Sequence, residues 1–297
     1  MQREPDREDM RDAIGLDIGG RSVKAVLLVD GEVRAFAQSA AYERPDRGTL
    51  DAALDHVLSR VQPTSDGPIP VGVSTPGILA GDGHTVALSV NLPGLNDLHL
   101  GEAVLDRVGR VASTRVVSDA FAAAFGYWCM EKPAGRVLCL ALGTGVGAAL
   151  LDDGEQVMVT GNTPGHLGQL DVGRCDAARD HVGPDGGVNT LEAFVGANAL
   201  HARFGETPAQ SLIGASDNDP AWQALARAIR IAHAVYRPHH VVLMGGIGIR
   251  LAPAISKLDR LVREGLTGVA REAHTLTAAT SDRLGAIGAA RCAVVCA

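Results

Sequence analysis

Aromatic residues are scarce in this chain: five Phe, three Tyr and two Trp make up 3% of 297 residues. Hydrophobic residues nevertheless make up 46%, so its cores must be built from Ala, Val, Leu and Ile. Basic charge is in short supply as well. Twenty-seven Lys and Arg face 34 Asp and Glu, and the net charge of −7 argues against nucleic acid as a partner. Long apolar runs are missing. The longest, Val137 to Leu151, carries three glycines and a threonine and falls short of a membrane span, so no membrane partner is expected. The opening MQREPDREDMRD has no apolar segment of the kind a secretory leader needs. The cysteines (Cys129, Cys139, Cys175, Cys292, Cys296) are odd in number and lack framework spacing. A reduced, cytoplasmic setting is therefore expected. Cys292 and Cys296, four apart on an expected helix, suit buried packing.

Glycine, by contrast, is abundant at 36 residues, and two glycine-rich turns stand out. The first is Asp17-Ile18-Gly19-Gly20 and the second Leu142-Gly143-Thr144-Gly145-Val146-Gly147. Each follows a short apolar strand (13–16; 137–141) and runs into another (23–29; 148–151). Successive backbone N–H groups in such a turn form a concavity that attracts phosphate oxygens. Two of them in one chain could grip the ends of a triphosphate; the plainer use is a pair of tight hairpins. A dinucleotide-binding turn would open a helix with G-x-G-x-x-G spacing, and a P-loop would read G-x-x-x-x-G-K-[ST]. Neither pattern is present.

Along the chain, about twelve residues expected to be disordered precede a strand meander to about Ser39. Leu50, Leu54, Val57, Leu58 and Val61 mark one face of a helix. A buried strand over 69–74 ends at Thr75-Pro76-Gly77, and Asp82-Gly83 signals a hairpin leading to Asn91-Leu92-Pro93-Gly94. A helix over 100–108 and a strand over 115–117 lead to Ser118-Asp119 and an alanine-rich helix. The second half opens with the 137–151 hairpin and a loop-rich stretch, 161–187. Helices then start at Thr190 and Pro220. A strand over 240–244 meets Gly245-Gly246-Ile247-Gly248, and a last helix, 284–295, follows a short strand near Leu276. Both halves begin with a hairpin carrying a glycine turn, which hints at duplicated architecture.

Taken together these segments resemble the ROK family of sugar kinases, of the actin-like ATPase superfamily, from Ala13 to about Ala290. Asp17-Ile18-Gly19-Gly20 and Leu142 to Gly147 are similar to its two phosphate motifs. Leu243-Met244-Gly245-Gly246 is similar to its adenosine motif, following Arg237-Pro238 where the family has Asn-Pro. Asn91-Leu92-Pro93-Gly94 resembles the substrate loop. Ser118-Asp119-Ala120 resembles N-D-A, whose Asp is the family's catalytic base, and Leu191-Glu192-Ala193-Phe194-Val195 resembles L-E-A-Y-V. The family's G-E-I-G-H reads Gly165-His166-Leu167-Gly168-Gln169, so its sugar-binding Glu is His166 and its zinc- and sugar-binding His is Gln169. The zinc segment C-x-C-G-x-x-G-C is reduced to Cys175 alone. A tetrahedral structural zinc needs four ligands, and none is expected here.

The resemblance implies an α/β, two-lobed actin-like (ribonuclease H-like) ATPase fold with an interdomain cleft. The small lobe would span 13–118 with 284–297 and the large lobe 119–283. It implies an ATP- and Mg²⁺-dependent kinase, homodimeric, acting on a primary hydroxyl of a hexose-like polyol. Asp119 would be the general base; capping a helix is its plainer use. Asp17 would orient Mg²⁺ or its waters, or cap a turn. Nucleotide contacts would come from Gly19, Gly20, Lys24, Gly143, Thr144, Gly145, Gly245 and Gly246. Arg21 would meet a phosphate or simply be solvated. Substrate contacts would come from Gly77, Asn91, Ser118, Asp119, His166, Gln169 and Glu192; the last could instead offset a helix dipole. The changes at 118, 166 and 169 point to an amino sugar or a C7 cyclitol. Ordinary glucokinase is the alternative. A ROK-type sugar-sensing regulator needs a helix-turn-helix, for which the residues before Ala13 leave no room. A catalytically idle sensor sits poorly with Asp119 and two intact phosphate turns.

Overall fold

A computed structural model describes residues 12–63, 67–159, 165–184, 186–271 and 274–295. The residues before Asp12, the start of the 161–187 loop and Cys296 lie outside them. The chain divides into two compact units, Met1–Glu131 with Arg283–Ala297, and Lys132–Asp282.

The first unit runs β1 (Ala13–Ile18), β2 (Val23–Val29), β3 (Glu32–Gln38), α1 (Arg47–Leu58), β4 (Ile69–Thr75), β5 (Ile78–Leu79), β6 (Val86–Leu88), α2 (Leu100–Val108), β7 (Val111–Ser118) and α3 (Asp119–Glu131). Its sheet has the order β3-β2-β1-β4-β7. The first three strands are antiparallel, and β1, β4 and β7 are parallel. α1 starts at Arg47 because Asp46 accepts the Thr49 N–H at 2.8 Å, a cap that the apolar periodicity did not reveal. Strand β7 is longer than the expected 115–117. It lies at the sheet edge, where half-exposed Ser113 and Thr114 mask the apolar signal.

The second unit contains β8 (Arg136–Leu142), β9 (Val146–Asp152), β10 (Glu155–Gln156), α4 (Leu191–Val195), α5 (Ala197–Phe204), α6 (Pro208–Gly214), α7 (Pro220–Tyr236), β11 (His240–Met244), α8 (Gly245–Arg250), α9 (Ile255–Glu264), α10 (Gly268–Arg271) and β12 (Thr275–Ala278). Its order, β10-β9-β8-β11-β12, repeats that of the first sheet strand for strand. Three antiparallel strands are again followed by parallel neighbours. The hint of duplication is therefore present in the topology. The core here gathers Leu138, Leu140, Phe194, Trp222, Ile229 and Leu243, and Trp222 donates Nε1–H to the Leu212 carbonyl at 2.9 Å. Helices α5, α6 and α9 were not anticipated. The first two are short, and α9 buries only Leu258, Leu261 and Val262 on an otherwise charged surface.

The last helix, α11 (Leu284–Val295), returns to the first unit. It packs on β1, β4 and α3, the helix that the sequence reading placed at the head of the second lobe. Many of its buried side chains are small, Ala286, Ala289, Ala290 and Ala293 among them. Contact with the sheet is made backbone to backbone. A Cβ on Gly15 would sit 2.8 Å from the Ala290 amide nitrogen, and one on Gly72 would sit 3.0 Å from it and collide with the Ala289 carbonyl. Gly126 of α3 and Gly288 of α11 meet in the same way.

Gly72→Ala should therefore destabilise the protein by about 3 kcal/mol, the upper range for overpacking a close-packed contact. Gly67→Ala, at a position with no atom within 4 Å, serves as the control. Urea midpoints compare the two; equal midpoints would mean that the helix slides away at no cost.

Candidate active site

In the first unit the sheet register assembles the polar groups. Asp17 on β1 lies opposite Lys24 on β2 and beside Ser74 on β4. Paired positions in a ladder present their side chains to the same face about 5 Å apart. Ser74 donates its hydroxyl to Asp17 Oδ1 at 2.7 Å. Room for that carboxylate is made by Gly285 at the start of α11, where a Cβ would fall 2.6 Å from Asp17 Cγ. One strand further, Thr75 pairs with Ser118, and Asp119 follows as the first residue of α3.

Asp119 Oδ1 accepts the N–H of the next residue, Ala120, at 2.8 Å. Asp119 is an exposed residue by surface area, yet protein atoms crowd its carboxyl. Burial first, and the nearby Asp17 carboxylate second, push the Asp119 carboxyl up to about 6. A carboxyl at that value is roughly nine-tenths ionised at pH 7 and ready to take a proton.

The β1–β2 turn is tied down from within. Gly19 N–H donates to the Ser22 carbonyl at 3.0 Å, and Tyr42 donates its hydroxyl to the Gly19 carbonyl at 2.7 Å. Tyr42 N–H also donates to the Arg21 carbonyl at 2.9 Å. The Gly19 amide is thus spent on the turn, a correction to its expected use on phosphate. Gly77 takes φ +106°, and any Cβ there would meet Ser89, so the bend after β4 requires glycine. Asn91 is exposed, and the loop after it is anchored by buried Leu92 and Leu95. Arg47 adds hydrogen bonds to the Gly94 and Asn96 carbonyls at 2.8 and 3.0 Å.

The second unit gathers its own set. The β8–β9 turn closes through Gly143 N–H on the Gly145 carbonyl at 3.0 Å, so the Gly143 amide is likewise committed, and Thr144 and Gly145 form the turn's tip. Glu192, in the first turn of α4, accepts the Val146 N–H on Oε2 at 2.7 Å. A Cβ on Gly145 would lie 2.7 Å from the same oxygen. The glutamate braces the glycine turn, a contact that neither the expected sugar contact nor dipole compensation describes. Gly245 takes φ +76° and lies 2.5 Å, measured from an imagined Cβ, from the Leu142 carbonyl at the base of that turn. Gly246 is the second residue of α8, and the Arg250 guanidinium lies 3.9 Å from its Cβ position. His166 and Gln169, both exposed, flank a single 3₁₀ turn, Leu167–Gln169, whose Gly168 presses on the Val146 backbone.

The segment that resembles a zinc loop is tied together by side-chain hydrogen bonds and ring packing. His181 Nε2 is 2.9 Å from Asp176 Oδ2, and its ring packs on Phe194 with centroids 4.5 Å apart. Asn189, at φ +53°, joins in by donating Nδ2–H to Asp180 Oδ1 at 2.9 Å. Arg174 pairs with the same Asp180 oxygen at 3.1 Å. Cys175 is half-buried, and burial raises its thiol pKa above the usual value. No group of three or more potential metal ligands occurs among the described residues.

The sequence reading missed three residues of this architecture: Ser74, Tyr42 and Gly285. Ser74 was the readable one, a fully buried hydroxyl at the end of an apolar strand.

Comparison with known proteins gives one family match: residues 13–294 match the ROK family. The N-acetylmannosamine kinase of Salmonella typhi is 27% identical over 250 residues, covering 80% of this chain and 83% of its own. Two solved structures share the fold. A ROK family glucokinase from Streptomyces griseus, in complex with glucose and AMPPNP, has a TM-score of 0.68 at 20% identity, covering 94% of this chain and 98% of its own. The ROK hexokinase from Thermus thermophilus has a TM-score of 0.65, also at 20% identity, covering 94% and 97%.

Carbon-13 NMR of the carboxyl groups should find Asp119 titrating near 6. In Asp17→Asn the midpoint should fall, yet stay above the ordinary carboxylate range because burial persists. An unchanged midpoint would remove the coupling between the two acids. Elemental analysis of the purified protein should find no stoichiometric zinc; about one zinc per chain would demand a ligand set around His166, Cys175, Asp176 and His181.

Proposed function

Because the chain belongs to the ROK family, with its α/β two-lobed actin-like fold, we propose that it is an ATP-dependent kinase acting on a primary hydroxyl of a hexose-like polyol. The observation that carries this reading is the pair of acids at the strand ends: Asp17 fixed by Ser74, and Asp119 with its carboxyl near 6. Asp119 accepts the proton of the acceptor hydroxyl while its oxygen bonds to the γ-phosphorus and the bond to the ADP oxygen breaks. Phosphoryl transfer draws most of its acceleration from positioning and charge stabilisation, and a placed base adds about 10²–10⁴-fold.

Asp17 and the Ser74 hydroxyl offer hard oxygen donors that suit Mg²⁺ and its waters. When bound, the ion neutralises phosphate charge. Lys24, across the ladder from Asp17, adds positive charge to the same face. The amides of Gly20, Thr144 and Gly145 are offered to phosphate oxygens. Gly246 leaves space for an adenine ring at the backbone. A homodimer is part of the same reading.

For the acceptor, the end that is phosphorylated keeps its base, while the family's anomeric-end Glu and His are His166 and Gln169. Exchanging a carboxylate for an imidazole removes a charge-assisted hydrogen bond to a sugar hydroxyl. A site that cannot satisfy a buried hydroxyl rejects its bearer strongly. We therefore favour an amino sugar or a C7 cyclitol over glucose.

Three measurements test the reading. Asp119→Asn should lower kcat by at least ~10²-fold while nucleotide binding persists; unchanged turnover would return Asp119 to the role of helix cap. In the wild type, kcat/KM should fall as pH drops through about 6, because the base must be ionised. Across a panel of polyols, kcat/KM should be higher for an amino sugar or C7 cyclitol than for D-glucose. A tenfold or greater preference for glucose would make the chain an ordinary glucokinase.

A further inference from the structure

The second unit holds a polar recess of about 330 Å³, lined by Arg136, Asp152, His233, Arg237, Pro238 and His239. Arg136 begins β8, and His239 immediately precedes β11. The second glycine turn and Gly245 follow the opposite ends of those strands. At about 3.3 Å per residue, the length of β8 puts roughly 20 Å between the recess and the turn.

Cationic groups gather here although the chain as a whole is acidic. Arg136 and Asp152 neutralise each other, with Nε to Oδ2 at 2.9 Å, and Arg136 also donates Nη1–H to the Tyr236 carbonyl. That leaves Arg237 as the uncompensated charge on the lining. His239 Nδ1 accepts the Arg136 backbone N–H at 3.0 Å, which places the proton on Nε2 and makes that nitrogen a donor. Its ring is seated against Gly135, where a Cβ would come within 2.6 Å. His233 is buried, with 3% of its surface exposed, and its Nε2 has no hydrogen-bond partner among the described residues.

Arg237 is one of several non-glycine residues with positive φ. It caps α7 in the left-handed region, φ 49° and ψ 57°. Asn tolerates that conformation better than most side chains, and Asn is what the family's Asn-Pro would supply. Retaining arginine there carries backbone strain, which a guanidinium used for binding explains.

A guanidinium and an imidazole N–H on a recess of this size match an oxyanion. We propose that the recess binds a small phosphate group, free or carried by a phosphorylated metabolite, at a site separate from the glycine turns. Nothing in this inference depends on the identity of the sugar acceptor or on the kinase activity.

The test is calorimetric titration of the full chain with inorganic phosphate and, separately, with a sugar 6-phosphate, at constant ionic strength. Wild type and Arg237→Asn are compared, the variant keeping a residue suited to the left-handed position. The expected result is a phosphate site with Kd of about 1 mM or tighter that weakens at least tenfold in Arg237→Asn. Tighter binding of the sugar phosphate would identify a metabolite as the ligand, and tighter binding of inorganic phosphate would identify the free ion. Absence of phosphate binding in the wild type overturns the proposal. So does an isotherm that Arg237→Asn leaves unchanged while its melting temperature shows it folded.

Discussion

Everything in the first unit depends on how closely α11 can approach the sheet. Ordinary helix–sheet packing is spaced by side chains, but here Gly15 and Gly72 let the α11 backbone settle directly onto β1 and β4. Close packing of this kind has little tolerance, since one added methyl group has nowhere to go. The same approach brings Gly285 to the Asp17 carboxylate and Gly288 to α3. Helix position and acid position are thus one constraint. Asp17 occupies the hollow that α11 leaves, Ser74 ties it in place, and α3, locked to α11, carries Asp119 at its first residue.

The two acids are held near each other, and one of them is tied to Ser74. The electrostatic consequence falls on Asp119, whose carboxyl is raised by burial and then by the Asp17 charge. In the second unit the equivalent discipline is exerted on a turn. Glu192 holds the Val146 amide, so the shape of the glycine turn and the placement of α4 are set together. His166 and Gln169 ride on the adjoining 3₁₀ turn, which rests on the same Val146.

Much of this was legible in the sequence. Strand–glycine–strand hairpins have one local solution, so β1–β2 and β8–β9 and their turns were placed from residue order alone. Strand β11 and helices α2 and α11 agree with their expected bounds for the same reason: an uninterrupted pattern with clear ends. What escaped was whatever depends on partners distant in sequence. Gly285 has meaning only because Asp17 lies against it, and Tyr42 only because its hydroxyl returns to Gly19. The commitment of the Gly19 and Gly143 amides to their own turns was equally invisible, because a glycine's letter does not tell which amides point inward.

One connection in the chain has a consequence for biosynthesis. The second unit is a single continuous stretch, Lys132–Asp282, whereas the first is assembled from Met1–Glu131 and the α11 segment that follows everything else. During translation the second unit can close as soon as it has emerged. The first cannot: its sheet has strands and α3 in place, but its Gly15–Gly72 face stays uncovered until α11 leaves the ribosome. For that interval a sheet face lined by Gly15, Val26, Leu28 and Gly72 is available to chaperones or to wrong partners. The last-made helix therefore decides when the first-made sheet becomes native.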